Sequence, residues 1–74
     1  MALDFLIVDD SAVMRGMIKK TLNLSGLPIG KIYEAGNGLE GLKVLSENWV
    51  DLALVDINMP EMNGEEMIER IKAN

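Results

Sequence analysis

Asp9, Asp10 and Asp56 are the side chains of this 74-residue sequence best placed to do chemistry. Asp9 and Asp10 close the apolar run Phe5-Leu6-Ile7-Val8, and Asp56 closes Leu52-Ala53-Leu54-Val55. An unbroken apolar run of this length reads as a strand buried on both faces, the habit of a parallel sheet. In open α/β sheets, ligands bind outside the carboxyl ends of the strands. Neighbouring strands lie about 4.8 Å apart, so if the two runs are neighbours all three carboxylates share one rim. Crowded carboxylates repel one another, and their pKa values rise unless a cation sits among them. Mg²⁺ takes oxygen ligands, accepts a few carboxylates and keeps several waters. The spacing therefore predicts a Mg²⁺ site on Asp9, Asp10 and Asp56, with the main-chain carbonyl of Asn58 available as a further ligand. Such a site suits phosphoryl transfer, the Asp56 carboxylate attacking phosphorus beside a metal that neutralises the phosphoryl oxygens. The plainer alternative is that Asp9 and Asp10 serve only the start of a following helix, as acidic residues commonly do. That alternative leaves Asp56 unexplained.

Composition removes most other chemistries. The chain has no Cys and no His, which excludes disulfides, thiolate or imidazole metal sites and any imidazole base. A net charge of −5 disfavours a nucleic-acid partner, because such binding rests on cations neutralising phosphates. No apolar run approaches a membrane span and no secretory-type segment opens the sequence, which points to a soluble cytoplasmic protein with no membrane partner. Apolar residues make up 49% of the chain, ample for a globular core.

The elements that position the acids follow from periodicity. Residues 3–8 form a first strand. Ser11 can cap a helix over 11–25, whose apolar face includes Val13, Met14, Met17, Ile18 and Leu22, and which Gly26 and Pro28 end. These methionines are expected in the core. Lys31 to Ala35 alternates, as an edge strand does. Asn37 with Glu40 forms a capping box for a helix over 38–48, with Leu39, Leu42, Leu45 and Trp49 as its apolar stripe, Trp49 lying at the core's edge. Residues 52–56 are the third strand. Pro60 breaks the chain after it, and Asn63 caps a helix over 64–73, with Met67, Ile68 and Ile71 facing inward. The order is βαβαβα, a three-layer αβα arrangement on a parallel sheet with right-handed crossovers.

Gly36-x-Gly38-x-x-Gly41 satisfies a dinucleotide-binding fingerprint between a strand and a helix, with Asp56 at the distance of a ribose-binding acid. A nucleotide-binding half domain is therefore a rival reading. Against it, the preceding strand looks like an edge, and Asp9 and Asp10 are left without a role.

Three stretches together resemble a bacterial response-regulator receiver domain of the chemotaxis type: Phe5-Leu6-Ile7-Val8-Asp9-Asp10-Ser11, Gly36-Asn37-Gly38-Leu39-Glu40-Gly41, and Asp56-Ile57-Asn58-Met59-Pro60-Glu61-Met62-Asn63-Gly64. The resemblance implies a flavodoxin-like fold and a role in phosphorelay signalling as a phosphoacceptor rather than an enzyme. It implies that Asp56 accepts the phosphoryl group from a phosphohistidine on a sensor histidine kinase. It also implies that Asp9 and Asp10 are the acidic pair and that Asn58 lends a carbonyl to Mg²⁺. A receiver domain has five βα units, and this sequence resembles the first three. The family's phosphoryl-binding Ser or Thr and its partner Lys have no counterpart here, and Lys72 does not replace the latter. Phosphorylation is therefore expected to be impaired. The third strand, interior in the family, becomes an edge, apolar on both faces and without Pro or Lys, which is a pairing template. Self-association through residues 52–56 is expected, and a structural or engineered half domain with an idle site is the corresponding alternative.

Overall fold

Phe5, Leu6, Ile7 and Val8 are almost wholly buried, which makes β1 (Leu3–Val8) the middle strand. The computed structural model describes residues 1–56 and 64–73. The expected Asn58 ligand, the Pro60 break and the Asn63 cap lie outside the described residues. β2 (Ile29–Ala35) and β3 (Leu52–Val55) each pair parallel with β1, giving the order β2-β1-β3. The connections from β1 to β2 and from β2 to β3 run in opposite directions across the sheet. Right-handed crossovers therefore put α1 (Ala12–Leu24) on one face and α2 (Gly38–Glu47) on the other, where α3 (Gly64–Ala73) packs against α2. This is a flavodoxin-like α/β arrangement.

The two faces are packed unequally. The α2 side holds a core of Leu6, Val8, Ala35 and Met67, with Tyr33, Leu42, Val44, Leu45, Val50 and Val55 packed around it. Gly41 is part of this packing. A Cβ there would stand 2.9 Å from Met67 Cε and 3.0 Å from Val8 Cγ2, so only the bare backbone lets helix and strand approach this closely. On the other face α1 buries no residue. Met14 and Met17, expected in the core, are 44% and 58% exposed. Helical periodicity gave the right side of α1 for Met14, Met17, Ile18 and Leu22 but not for the exposed Val13, and among the described residues no strand beyond β3 covers that side. An apolar groove of about 310 Å³, lined by Met14, Met17, Ile18, Thr21, Leu22 and Leu54, is left open. For the same reason Leu52 and Leu54, which read as interior strand residues, are exposed. Among the described residues no strand pairs on the outer side of β3.

Further expectations change: of the inward stripe expected on α3 only Met67 is buried, Ile68 and Ile71 being exposed. β2 begins at Ile29, two residues before Lys31, because Leu3 N–H donates to Pro28 O and the register slips between Leu3 and Phe5. Asp4 sits in that irregularity. Its Oδ1 accepts from Lys31 N at 2.8 Å, and Asp51 Oδ2 accepts from Asp4 N. Gly30 has no Cβ because one would collide with Asp4 Oδ1. Leu39 is exposed, so the inner face of α2 runs through Gly38, Gly41, Leu42, Val44 and Leu45. Trp49 is exposed rather than at the core's edge, its indole N–H donating to Asp51 Oδ1. The Asp51 carboxyl is held below the usual aspartate range by the Asp4 N–H and then by Trp49.

Candidate functional site

Register places the acids. Val8 of β1 is opposite Val55 of β3, so the next residue of each strand, Asp9 and Asp56, emerges at the same rim. Both strand ends are tied by main-chain bonds, Asp9 N–H to Ala35 O at 3.0 Å and Asp56 N–H to Val8 O at 2.8 Å. One carboxylate oxygen each from Asp9, Asp10 and Asp56 lies within 4.8 Å of the others. Two oxygens on opposite sides of a Mg²⁺ ion stand about 4.2 Å apart, so a shift of a few tenths of an ångström brings this donor set onto one ion. Three anionic oxygens on partly exposed side chains are the hard-ligand set that Mg²⁺ prefers. Asp9 and Asp56 are half-buried and Asp10 is exposed. The carboxylates of Asp9 and Asp56 head a cleft of about 350 Å³ whose remaining walls are Val8, Ile18, Leu54 and Val55. Ile18 and Leu54 also line the apolar groove, so the two depressions are continuous.

The turn carrying Asp9 and Asp10 is fixed from several sides. Ser11 N–H donates to Asp9 Oδ1 at 2.9 Å, and Ser11 caps α1, its Oγ accepting from Met14 N. Arg15 Nη1 donates to the carbonyl of Asp9. Arg15 Nε donates to Glu34 Oε1 at 3.1 Å, and Lys19 Nζ donates to Glu34 Oε2 at 2.9 Å. The Lys19 ammonium, opposed by burial and helped by the Arg15 guanidinium, holds the Glu34 carboxyl below the usual glutamate range. Neither Arg15 nor Lys19 declares this role in the sequence. The available signal was the i, i+4 spacing of two cations, but their shared acid is visible only once β2 is in register with β1.

The glycine-rich turn is built differently from a phosphate cradle. Asn37 Oδ1 accepts from Glu40 N at 2.9 Å, and Asn37 Nδ2 donates to Glu40 Oε2, closing the capping box. The Glu40 carboxylate lies over Gly36, 3.3 Å from where a Cβ would stand. The space beside Gly41 is filled by Met67 and Val8. The Glu40 carboxylate thus sets a negative charge beside Gly36, which repels an anionic ligand at this turn. Lys72 is exposed in the last turn of α3. Trp49 precedes β3 and so lies at the end of that strand away from Asp56. Among the described residues no helix is long and apolar enough to cross a membrane.

Comparison with known proteins shows the same fold and a family. Residues 5–74 match the family described as "Response regulator receiver domain". The chain is 42% identical over 69 residues to a chemotaxis protein CheY homolog of Campylobacter jejuni, covering 92% of this chain and 52% of that protein. It is 46% identical over 69 residues to a protein-glutamate methylesterase/protein-glutamine glutaminase of Bacillus licheniformis, covering 93% of this chain and 19% of that protein. Among solved structures, the response regulator TrrA of Thermotoga maritima, in complex with Mg²⁺–BeF, superposes with a TM-score of 0.85 at 34% identity. That match covers 99% of this chain and 60% of that one. The chain thus spans about half the length of the CheY-type relative it matches.

Proposed function

The chain belongs to the response-regulator receiver family, and on that premise we propose that it serves phosphorelay signalling of the chemotaxis type, with Asp56 as phosphoacceptor. Asp9, Asp10 and Asp56 would hold one Mg²⁺, to which the family resemblance adds the carbonyl of Asn58, and the ion would supply charge neutralisation at the phosphoryl oxygens. A carboxylate oxygen of Asp56 forms the new P–O bond. The P–N bond of a sensor kinase's phosphohistidine breaks, and the imidazole leaves with the electron pair. The protein is an acceptor in this exchange, not an enzyme, and works in the cytoplasm beside its kinase. The observation that carries the reading is the approach of three carboxylate oxygens to within 4.8 Å at the rim shared by β1 and β3.

No Ser, Thr or Lys of residues 1–74 matches the phosphoryl-binding pair that the family resemblance calls for, so labelling of this chain alone is slow. The test is incubation with a small acyl phosphate, with and without Mg²⁺, followed by mass mapping. Mg²⁺-dependent addition of one phosphoryl group at Asp56, absent from Asp56→Asn, is expected. Labelling that ignores Mg²⁺, or falls on another residue, overturns the reading.

A second reading concerns assembly. The exposed Leu52 and Leu54, on an outer strand with no charge between Asp51 and Asp56, favour self-association of this chain through residues 52–56. Native mass at micromolar concentration is expected to show a dimer that Leu54→Lys dissociates. A monomer at every concentration removes this reading. The nucleotide-binding alternative is disfavoured by the Glu40 carboxylate over Gly36 and by the filled space beside Gly41.

A further inference from the structure

α1 carries the turn with Asp9 and Asp10 over the rim, yet none of its residues is buried. Its half-buried apolar residues, Ile18 and Leu22, lie beyond the first turn, so apolar packing does not by itself set the angle at which the helix start meets the sheet. The contacts that do are polar and centre on Arg15, whose side chain is only 18% exposed. Arg15 lies one turn into α1. One arm of its guanidinium takes the Asp9 carbonyl and another takes Glu34 on β2. Glu34 is held from its other oxygen by Lys19.

With Arg15 in place, both main-chain groups of Asp9 and one oxygen of its carboxylate are engaged. Its N–H donates to Ala35, its carbonyl accepts from Arg15, and its Oδ1 accepts from Ser11. One carboxylate oxygen of Asp9 then remains for a cation, in a direction the protein has already fixed. Asp10 stands between Asp9 and the Ser11 cap and takes its position from both. A lysine cannot replace this arrangement. Its ammonium is a single point charge, whereas the guanidinium presents separate N–H groups in a rigid plane.

From this geometry we infer that Arg15, clasped by Glu34 and Lys19, is a positioning residue that sets how closely the acidic turn fits a small cation. The inference rests on the cation-site reading above. Mg²⁺ demands near-octahedral oxygens at 2.0–2.1 Å, while Ca²⁺ accepts flexible geometry at 2.3–2.6 Å. Loosening the turn therefore weakens Mg²⁺ more than Ca²⁺. Mere loss of positive or negative charge nearby, or general destabilisation, weakens or strengthens both ions alike.

The experiment is calorimetric titration of MgCl₂ and of CaCl₂ into the wild type, Arg15→Lys and Glu34→Gln, each checked for folding by circular dichroism. All three retain every carboxylate of the cluster. Mg²⁺ affinity is expected to fall about tenfold in both variants, the scale of losing a partner that orients a ligand. Ca²⁺ affinity is expected to fall less than about threefold, because its geometry is tolerant. Equal losses for the two ions, or an unchanged Mg²⁺ affinity, overturn the inference and leave the site reading intact. A wild type that binds neither ion overturns the site reading and this inference with it. Glu34→Gln leaves the arginine in place, so the test survives if Arg15→Lys does not fold.

Discussion

Replacing Asp10 by Asn makes the cation-free protein more stable and the cation-loaded protein less so. Asp10 is exposed, so its interactions run through a water-like dielectric. At 4.8 Å, the outer limit of the spacing within the cluster, a carboxylate pair repels by about 0.9 kcal/mol in that dielectric. The Asp10→Asn change removes two such pairs, and screening at 0.1 M salt leaves a relief of about 1 kcal/mol. For a domain of this size that raises Tm by roughly 4–8 °C. Mg²⁺ at about one hundred times its Kd stabilises the wild type by about 2.7 kcal/mol. The variant, one carboxylate short, gains less, and the order of stabilities reverses. Thermal melts of both proteins in EDTA and in Mg²⁺ give the four values needed. A variant no more stable than wild type in EDTA refutes the electrostatic reasoning. A gap that Mg²⁺ does not change refutes the assignment of Asp10 to the site.

Two further predictions concern the frame around the site. Gly30→Ala pushes Asp4 off the Lys31 amide and costs about 1–2 kcal/mol in denaturant unfolding, the scale of one lost hydrogen bond with local strain. In an Asp4→Ala background the same change costs less than half as much, and equal costs in the two backgrounds contradict the account. Glu34, its folded pKa depressed chiefly by Lys19, contributes stability above the ordinary glutamate pKa and loses it as pH falls through the folded value. Glu34→Gln is thus less stable than wild type at neutral pH, by at most about 1 kcal/mol for so exposed a network. The two melts converge in acid, and a gap that persists there points to a cause other than charge.

The candidate site was largely legible because it depends on two facts that a sequence displays. Apolar runs without alternation announce interior strands, and the resemblance to a flavodoxin-like receiver domain implies that the first and third strands are neighbours, an order that right-handed crossovers by themselves leave open. The two together bring Asp9 and Asp56 to one rim. The Ser11 cap and the Asn37–Glu40 box were readable for the same reason, each being settled within a few residues. What was hidden depends on partners distant in sequence. Met14, Met17, Leu52 and Leu54 have the right period for burial, but period does not say whether anything lies across from them. The early start of β2 depends on Asp4 reaching Lys31 across 27 positions, where Pro28 reads only as the stop of the preceding helix. Trp49 was assigned to a stripe by spacing, although its indole finds a better acceptor in Asp51. Arg15 acquires a role only when Glu34 is brought alongside by strand pairing.

The gathering of Asp9, Asp10 and Asp56 around one ion is tested most directly by paramagnetic broadening of backbone amide resonances with substoichiometric Mn²⁺. The account predicts that broadening centres on the amides of Asp9, Asp10 and Asp56 together, is displaced by Mg²⁺, and is lost in Asp10→Asn. Broadening spread over the acidic surface, or centred on residues remote from this rim, contradicts it.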